Sequence, residues 1–159
     1  MVAMHAPDDL AFVNGFEETV SVDVIGLGPT CFCHGSPRSD VECVTERTPA
    51  ERVRDFMAGV EERVVVTAHV HVRYDRTVEG VRLLSPGSVG LPYEGTRGAY
   101  WALLGPDVEL RRTEYDVEAA VARMRATDDP RAEQIVELML QPPSREEAIE
   151  HAEKVVFAE

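Results

Sequence analysis

The strongest constraint in the sequence is a run of three valines followed closely by the pattern His-x-His, at residues 64–71. A short β-branched apolar run predicts a buried strand, which would deliver His69 and His71 at its carboxyl end. Because alternate side chains of an extended segment share a face, both imidazoles would turn to the same side, where they could bind zinc, iron, nickel or manganese. The same pattern also occurs as an ordinary exposed histidine pair, so both interpretations stay open at this point.

A second apolar run, Cys31-Phe32-Cys33, also ends in a histidine. His34 is followed by Gly-Ser-Pro, which forces a turn, so a third imidazole lies at a strand exit. Further along, residues 81–84 lead into a loop, 85–90, with the sequence Ser-Pro-Gly-Ser-Val-Gly. Its glycines allow positive φ and close approach of the backbone to a ligand, and its amides could face an anion. Most turns of this kind are structural, so the loop has little weight by itself.

Taken in order and spacing, four blocks resemble the C-terminal half of the calcineurin-like metallophosphoesterases, in particular the small bacterial and archaeal phosphodiesterase branch. The resemblance covers about residues 8–115 and implies an α/β fold, part of a four-layer α/β/β/α sandwich. Residues 1–116 would form the C-terminal half of such a domain, and residues 117–159 a helical tail packed on it. The four blocks are His34-Gly35, Ala68-His69-Val70-His71, Ser85-Pro86-Gly87-Ser88 and the aromatic strand 99–104.

The sequence differs from the family pattern in three ways. Ala68 replaces the family's Gly before the first histidine of His-x-His, and Ser85 replaces an Asn at the start of the Pro-Gly loop. The third difference is larger, because the family's N-terminal motifs Asp-x-His, Gly-Asp and Gly-Asn-His are found nowhere in these 159 residues. We therefore expect the second half of a metallophosphoesterase, beginning where the family's Asn-His motif would have ended.

By this resemblance, His34 and His69 would bind one divalent metal and His71 a second, the metal being Mn, Fe, Ni or Zn. A two-metal phosphoesterase clamps the attacking and leaving oxygens between cations roughly 3.5–4 Å apart, which calls for carboxylates that belong to the missing motifs. Three neutral imidazoles could still hold a single zinc with an open position. The expected function is metal-dependent hydrolysis of a phosphomonoester or phosphodiester, truncated and impaired in this chain alone.

Candidates for substrate binding are Arg38, Arg97, Gly87 and Ser88. Arg38 follows the His-Gly-Ser-Pro turn and Arg97 follows another glycine-containing loop, so both could reach a phosphate if the loops converge. Gly87 and Ser88 would present loop amides to the same anion. Exposed arginines on loops are usually solvated, so these are secondary candidates. His151, on a predicted surface helix, has no second ligand in the pattern and is expected to be solvated.

Composition and charge narrow the partners. With 44% hydrophobic and 28% charged residues the chain has the balance of a globular domain, and it contains neither a leader pattern nor an apolar run near the ~18 residues of a membrane span. We expect a cytoplasmic protein with reduced, buried thiols at its three cysteines. The net charge of −13 disfavours nucleic acid as a primary partner. A phosphoester substrate remains compatible, since metals would supply the positive charge.

The periodicity predicts a β-rich region with strands near 19–24, 30–33, 72–78, 81–84, 99–104 and 108–115, interrupted by a helix at 49–59, and three helices after Asp116. A halved sheet would expose an edge strand and an apolar face, so the chain should dimerise, pair with a separate N-terminal polypeptide, or be unstable. Two alternatives stay open: a non-catalytic metal- or partner-binding module derived from a phosphoesterase, and a cupin-like β-barrel. The interrupting helix and the three final helices count against the barrel.

Overall fold

The computed structural model of the protein describes residues 6–155. Strands dominate the first two thirds of this part and helices the last third, as the periodicity predicts, so the α/β class with a helical C-terminal segment is confirmed. The helices are α1 (Pro7–Val13), α2 (Ala50–Phe56), α3 (Val117–Arg125), α4 (Ala132–Leu140) and α5 (Arg145–Lys154). The strands are β1 (Thr19–Val24), β2 (Gly28–Cys33), β3 (Val64–Val66), β4 (Arg73–Val78), β5 (Val81–Pro86), β6 (Ala99–Leu104) and β7 (Val108–Thr113).

Five strands form the main sheet in the order β1-β2-β3-β5-β4. The three central strands β2, β3 and β5 are parallel, with Val65 opposite Cys31 on one side and Leu83 on the other. Val65 and Leu83 are fully buried, as the unbroken apolar runs of a parallel sheet covered on both faces require. Because parallel strands end at the same edge, the segments after Cys33, Val66 and Pro86 all leave the sheet together.

The prediction that His-x-His lies on an extended strand is wrong. Strand β3 ends at Val66, and both His69 and His71 adopt left-handed backbone conformations, with φ of 61° and 57°. Their side chains therefore do not follow the two-residue alternation of a strand. The loop geometry, rather than a strand face, sets the direction of each imidazole.

Helix α5 packs into the same core as the main sheet. Ile149 is 1% exposed and Ala152 5%, and both join the apolar cluster that includes Val53 and Phe56 of α2. The Glu153 carboxylate also accepts hydrogen bonds of 2.6 Å from the hydroxyl of Thr48 and from a second threonine, Thr45. The C-terminal helix is thus fixed to the segment that precedes α2.

These contacts explain one difference from the sequence prediction at α2. The sequence Thr48-Pro49-Ala50-Glu51 predicts a helix start with Thr48 as the cap and Pro49 at the first position, but Pro49 occupies the cap position and no side chain caps the helix. The Thr48 hydroxyl instead accepts from the Thr45 amide and donates to Glu153. At α5 the pattern Ser144-x-x-Glu147 predicts a capping box, and it is present: the Ser144 side chain accepts from the Glu147 amide, and the Glu147 side chain accepts from the Ser144 amide.

A buried carboxylate, Glu94, ties α5 to the edge of the main sheet. Its side chain is 6% exposed and accepts a 2.6 Å hydrogen bond from the Arg73 amide. The Arg145 guanidinium at the start of α5 lies 3.3 Å from Glu94 and donates to the Arg73 carbonyl at 2.5 Å. A charge-assisted network of this kind fixes the loop after β5, which carries Tyr93 and Glu94, relative to α5.

Strands β6 and β7 form a separate two-stranded sheet. The Tyr100 amide donates to the Ser88 carbonyl at 3.1 Å, which joins this hairpin to the loop after β5. Helices α3 and α4 pack together beyond it, with Val121 and Val136 buried. Within residues 6–155, no helix combines the length and the apolar character needed to cross a membrane.

We predict that Ile149→Ala lowers the free energy of unfolding by about 2–5 kcal/mol, because it leaves a cavity where α5 meets the sheet. Ile25→Ala is the matched control: Ile25 is 86% exposed, so its truncation should change stability by less than about 0.5 kcal/mol. Urea unfolding of both variants measures the difference. Equal effects would show that α5 is not part of the core.

Candidate metal centre

His34 is held at the end of β2 by a closed turn. The amide of Ser36 donates to the Ser39 carbonyl at 2.8 Å, and the Ser39 amide donates back at 3.2 Å. A Cβ at Gly35 would lie 2.6 Å from the carbonyl oxygens of both Ser39 and Glu42, so only glycine allows the turn to close this tightly. A glycine is therefore required after His34 for steric reasons, independently of any ligand.

The His-x-His loop is fixed by its two neighbouring strands. The Thr67 amide donates to the Leu84 carbonyl at 2.8 Å, and the Ala68 amide donates to the His34 carbonyl at 2.7 Å. Two adjacent strand exits are thus joined directly by a backbone hydrogen bond. After these bonds, His69 and His71 have left-handed backbone conformations. Ala68, which stands where the metallophosphoesterase pattern has Gly, does not. Left-handed conformations of non-glycine residues are costly and cluster at functional sites.

The two histidines at these strand exits converge. The His34 Nε2 and His69 Nδ1 atoms are 3.0 Å apart, and the two rings meet edge to face at 70°. Metal–imidazole bonds of 2.0–2.1 Å place neighbouring ligand nitrogens about 3.0 Å apart at right angles and about 3.4 Å apart in a tetrahedron. The separation therefore suits either a direct hydrogen bond or a cation shared by both rings, so the residues present fit a metal.

His71 faces a separate position. Its Nδ1 lies 2.8 Å from the Leu91 carbonyl oxygen. Because a carbonyl only accepts, this nitrogen carries the hydrogen, and the lone pair is left on Nε2. The ring is also packed against Tyr93, with centroids 4.9 Å apart. A histidine that binds a metal usually donates its other ring N–H to a carbonyl or carboxylate in this way, which fixes the tautomer and the orientation of the ring.

Residues 6–155 contain no group of three or more His, Cys, Asp or Glu side chains close enough together to hold one metal ion. The expectation that three imidazoles could surround a single zinc is thus not met there. The reason is the loop geometry, which turns His34 and His69 toward each other and directs His71 to Leu91. The described residues place a pair of converging imidazoles beside a third, separate one.

Both histidines of the loop have lowered pKa values. Burial lowers the pKa of His69, and the neighbouring His34 and His71 lower it further, while Asp40 opposes them. Burial also lowers the pKa of His71, partly offset by the hydrogen bond to Leu91. These shifts favour the neutral ring at neutral pH, which is the form that coordinates a metal.

The two candidate arginines have protein partners. Arg38 makes a two-pronged contact with Glu42, with Nε–Oε1 at 2.9 Å, and its guanidinium lies over the Phe56 ring. Arg97 donates to the Leu140 carbonyl at 2.9 Å and lines a cavity of about 340 Å³ near the start of α3. None of the three strand-exit histidines lines that cavity. A phosphate-binding role for either arginine stays a prediction.

Gly87 and Ser88 shape the loop whose Leu91 carbonyl contacts the His71 ring. Gly87 has φ of 87°, and a Cβ there would lie 3.0 Å from the Cβ of Tyr100. The Ser88 hydroxyl accepts from the Leu91 amide at 3.1 Å, and the Leu91 carbonyl is the partner of His71. The Pro-Gly-Ser loop therefore positions an imidazole, and anion binding by its amides stays a prediction.

His151 is exposed, as expected, but its place beside His69 did not follow from the sequence. This exposed residue of α5 lines a cavity of about 310 Å³ together with His69 and Tyr93. The available signal was the neighbouring apolar pair Ile149 and Ala152, which orients α5 against the sheet and brings His151 to the rim of the core. The other lining residues are Cys43, Val70, Ala148, Ala152 and Val155.

Cys31 and Cys43 are buried, as predicted, while Cys33 is only partly buried. All three are free, and burial raises the pKa of Cys33 to about 12, with Cys31 adding to the effect. Burial likewise raises the pKa of Cys31 and Cys43. A thiol held in this form is a poor nucleophile at neutral pH.

No protein-family model matches the sequence, and a search of curated proteins found no match. Among solved structures, the fold is similar to that of the metallophosphoesterase from Sphaerobacter thermophilus, with a TM-score of 0.67 and 20% identity over 89% of this chain and 64% of that one. It is also similar to hypothetical protein PH1004 from Pyrococcus horikoshii OT3, with a TM-score of 0.68 and 20% identity over 86% and 55% of the two chains.

These likenesses confirm the fold that the four sequence blocks implied. The protein shares the fold of the metallophosphoesterase from Sphaerobacter thermophilus, with a five-stranded sheet and a helical C-terminal segment. The chain spans between 55% and 64% of the length of these two structural relatives.

We predict that His69→Gly is more stable than His69→Ala by about 1 kcal/mol, because glycine has no Cβ penalty at a φ of 61°. The same two substitutions at Val70, which is not left-handed, form the control. There glycine should be the less stable by about 0.5–1 kcal/mol. Urea unfolding in the presence of a chelator compares the four variants, and a His69→Gly variant less stable than His69→Ala would disprove the strain.

Proposed function

We propose that this protein forms part of a metal-dependent phosphoesterase centre in which His34 and His69 hold one divalent cation and His71 binds a second. The observation that carries the proposal is the 3.0 Å approach of His34 Nε2 to His69 Nδ1 at the exits of two adjacent parallel strands. The fold shared with a metallophosphoesterase supports the same reading.

The imidazole donors favour Mn, Fe, Ni or Zn as the metal. Such a cation would lower the pKa of a bound water and polarise a phosphoryl oxygen of a phosphomonoester or phosphodiester. The protein residues have separate tasks in this proposal. His34 and His69 set the position of one cation, and the Leu91 carbonyl keeps His71 in the tautomer whose Nε2 can bind the other.

The remaining ligands would come from outside this part of the chain. Two dications need carboxylates, and in residues 6–155 no Asp or Glu joins a group of three potential ligands. Glu42, on the turn after His34, is engaged by Arg38 and Ser36. We propose that a carboxylate-bearing N-terminal half of the fold, or failing that a second copy of this chain, completes the centre.

Exposed apolar residues support a partner of this kind. On β1, Val20 is 49% and Val22 is 46% exposed, and on and after α1 the rings of Phe12 and Phe16 are more than 60% exposed. A bulky apolar side chain in such a place gains stability when another surface covers it. The net charge of −13 disfavours nucleic acid as a primary partner. We also propose a cytoplasmic location, which the free thiols support.

Calorimetric titration with Zn²⁺ or Mn²⁺ tests the ligands. We expect His34→Ala and His69→Ala each to weaken binding at least about tenfold, since each removes one of two converging donors. His151→Ala is the matched control, a histidine from the neighbouring helix, and should bind as the parent does. Parent-like binding by the His34 and His69 variants, or an equal loss in His151→Ala, would show that the ligand assignment is wrong.

Turnover tests the incomplete centre. Without the bridging carboxylates the two-cation clamp is lost, and each ~1.36 kcal/mol of lost stabilisation costs about tenfold in rate. With Mn²⁺, the chain alone should hydrolyse bis-p-nitrophenyl phosphate at least roughly a thousandfold more slowly than an intact metallophosphoesterase active on this substrate.

Adding a segment that carries Asp-x-His, Gly-Asp and Gly-Asn-His, in trans or as a fusion, should restore turnover, and His71→Ala should then abolish it. Robust Mn²⁺-dependent hydrolysis by the chain alone, unaffected by substitution of the three histidines, would refute both the ligands and the need for a partner.

A further inference from the structure

A cavity of about 310 Å³ lies between the His-x-His loop, Tyr93 and helix α5. We propose that this cavity binds the organic group of the phosphoester substrate, and that this group is uncharged and no larger than about two aromatic rings. The inference rests on the proposed metal centre, because it assigns the part of the substrate next to the phosphate.

The cavity adjoins the candidate metal ligands on one side. His69 contributes to the cavity wall and also faces His34 at 3.0 Å. Tyr93, another wall residue, packs against the ring of His71 with centroids 4.9 Å apart. A phosphoryl group bound at the histidines would therefore have its ester substituent beside this opening.

The lining excludes a charged occupant. None of the eight residues around the cavity is Asp, Glu, Lys or Arg, and half of them are Val or Ala. A second phosphate or a carboxylate placed there would lose its hydration without gaining a charged partner, which is unfavourable. An apolar ring instead gains contact with aliphatic side chains and with the edge or face of Tyr93.

The volume sets the size of the group. Because a cavity of ~150 Å³ is enough for benzene, a cavity of about 310 Å³ suits an aryl group or a nucleobase of up to about two rings. His151, at the α5 side, is placed to hydrogen-bond a polar edge of such a ring. The cavity near Arg97 differs in both respects, since it has charged walls and no strand-exit histidine.

Binding to three small probes tests this proposal without measuring activity. Saturation-transfer NMR and line-broadening titrations would compare phenylphosphonate, methylphosphonate and benzyl alcohol. In the zinc-loaded chain, phenylphosphonate should bind at least about tenfold more tightly than methylphosphonate, a ratio that burying one ring supports. Benzyl alcohol should bind the metal-free chain, because the cavity alone recognises the ring.

Ala148→Phe puts a phenyl ring into the cavity and should abolish both benzyl alcohol binding and the preference for the phenyl probe. Ala119→Phe is the matched control, an exposed alanine on α3 outside the cavity, and should keep both. Val155→Trp, at the other end of the lining, gives a second blocked variant in case Ala148→Phe does not fold. Retained binding in a folded, blocked variant would overturn the proposal.

The results separate this inference from the metal centre. If zinc binds through His34 and His69 but the two phosphonates bind equally, the cavity assignment fails and the proposed function stands. If zinc does not bind but benzyl alcohol binding is lost in Ala148→Phe, the metal centre fails and the ring-binding cavity stands without its assigned phosphoester. If ring binding appears only after deletion of residues 156–159, the chain's own end is the occupant and the proposal is wrong.

Discussion

The hydrogen bond from the Ala68 amide to the His34 carbonyl is the contact on which the site depends. It extends the parallel pairing of β2 and β3 beyond the last paired residues of the sheet, so that two loops leave the strands in a fixed relation. Without it, the imidazoles of His34 and His69 would belong to two independent loops. With it, the two ring nitrogens lie 3.0 Å apart. Preorganisation of this kind would lower the entropy cost of binding the proposed cation.

A second layer of contacts transmits this order outward. The Leu91 carbonyl orients His71, the Ser88 hydroxyl holds the Leu91 amide, and the Ser88 carbonyl receives the Tyr100 amide of β6. The separate two-stranded sheet is thus linked through backbone groups to the side chain that would bind the second cation. Displacement of the β6–β7 hairpin would therefore shift the His71 ring through these three hydrogen bonds.

Much of the fold followed from patterns that have a direct physical cause. The apolar runs at β3 and β5 are unbroken because central parallel strands are buried on both faces, and the Ser144 capping box identified α5 from local chemistry alone. The sequence could also name the three histidines at strand exits. It could not show that His69 and His71 leave the extended region, because their φ angles are set by hydrogen bonds to residues far along the chain. For the same reason it could not place His151 beside His69, since that position depends on the tertiary packing of a helix about 80 residues later.

The left-handed backbone at His69 and His71 also restricts which residues can replace them. At φ near 60°, glycine is unstrained, while asparagine, aspartate and histidine are the side chains that enter this region most readily. Three of those four carry an oxygen or nitrogen that can bind a cation. Backbone geometry therefore acts as a filter on mutation at both positions. Most of the residues that the local backbone tolerates best would keep a potential ligand atom in place and would change only its hardness and charge. Substitution at these positions would therefore change the preferred metal more readily than it would remove the capacity to bind one.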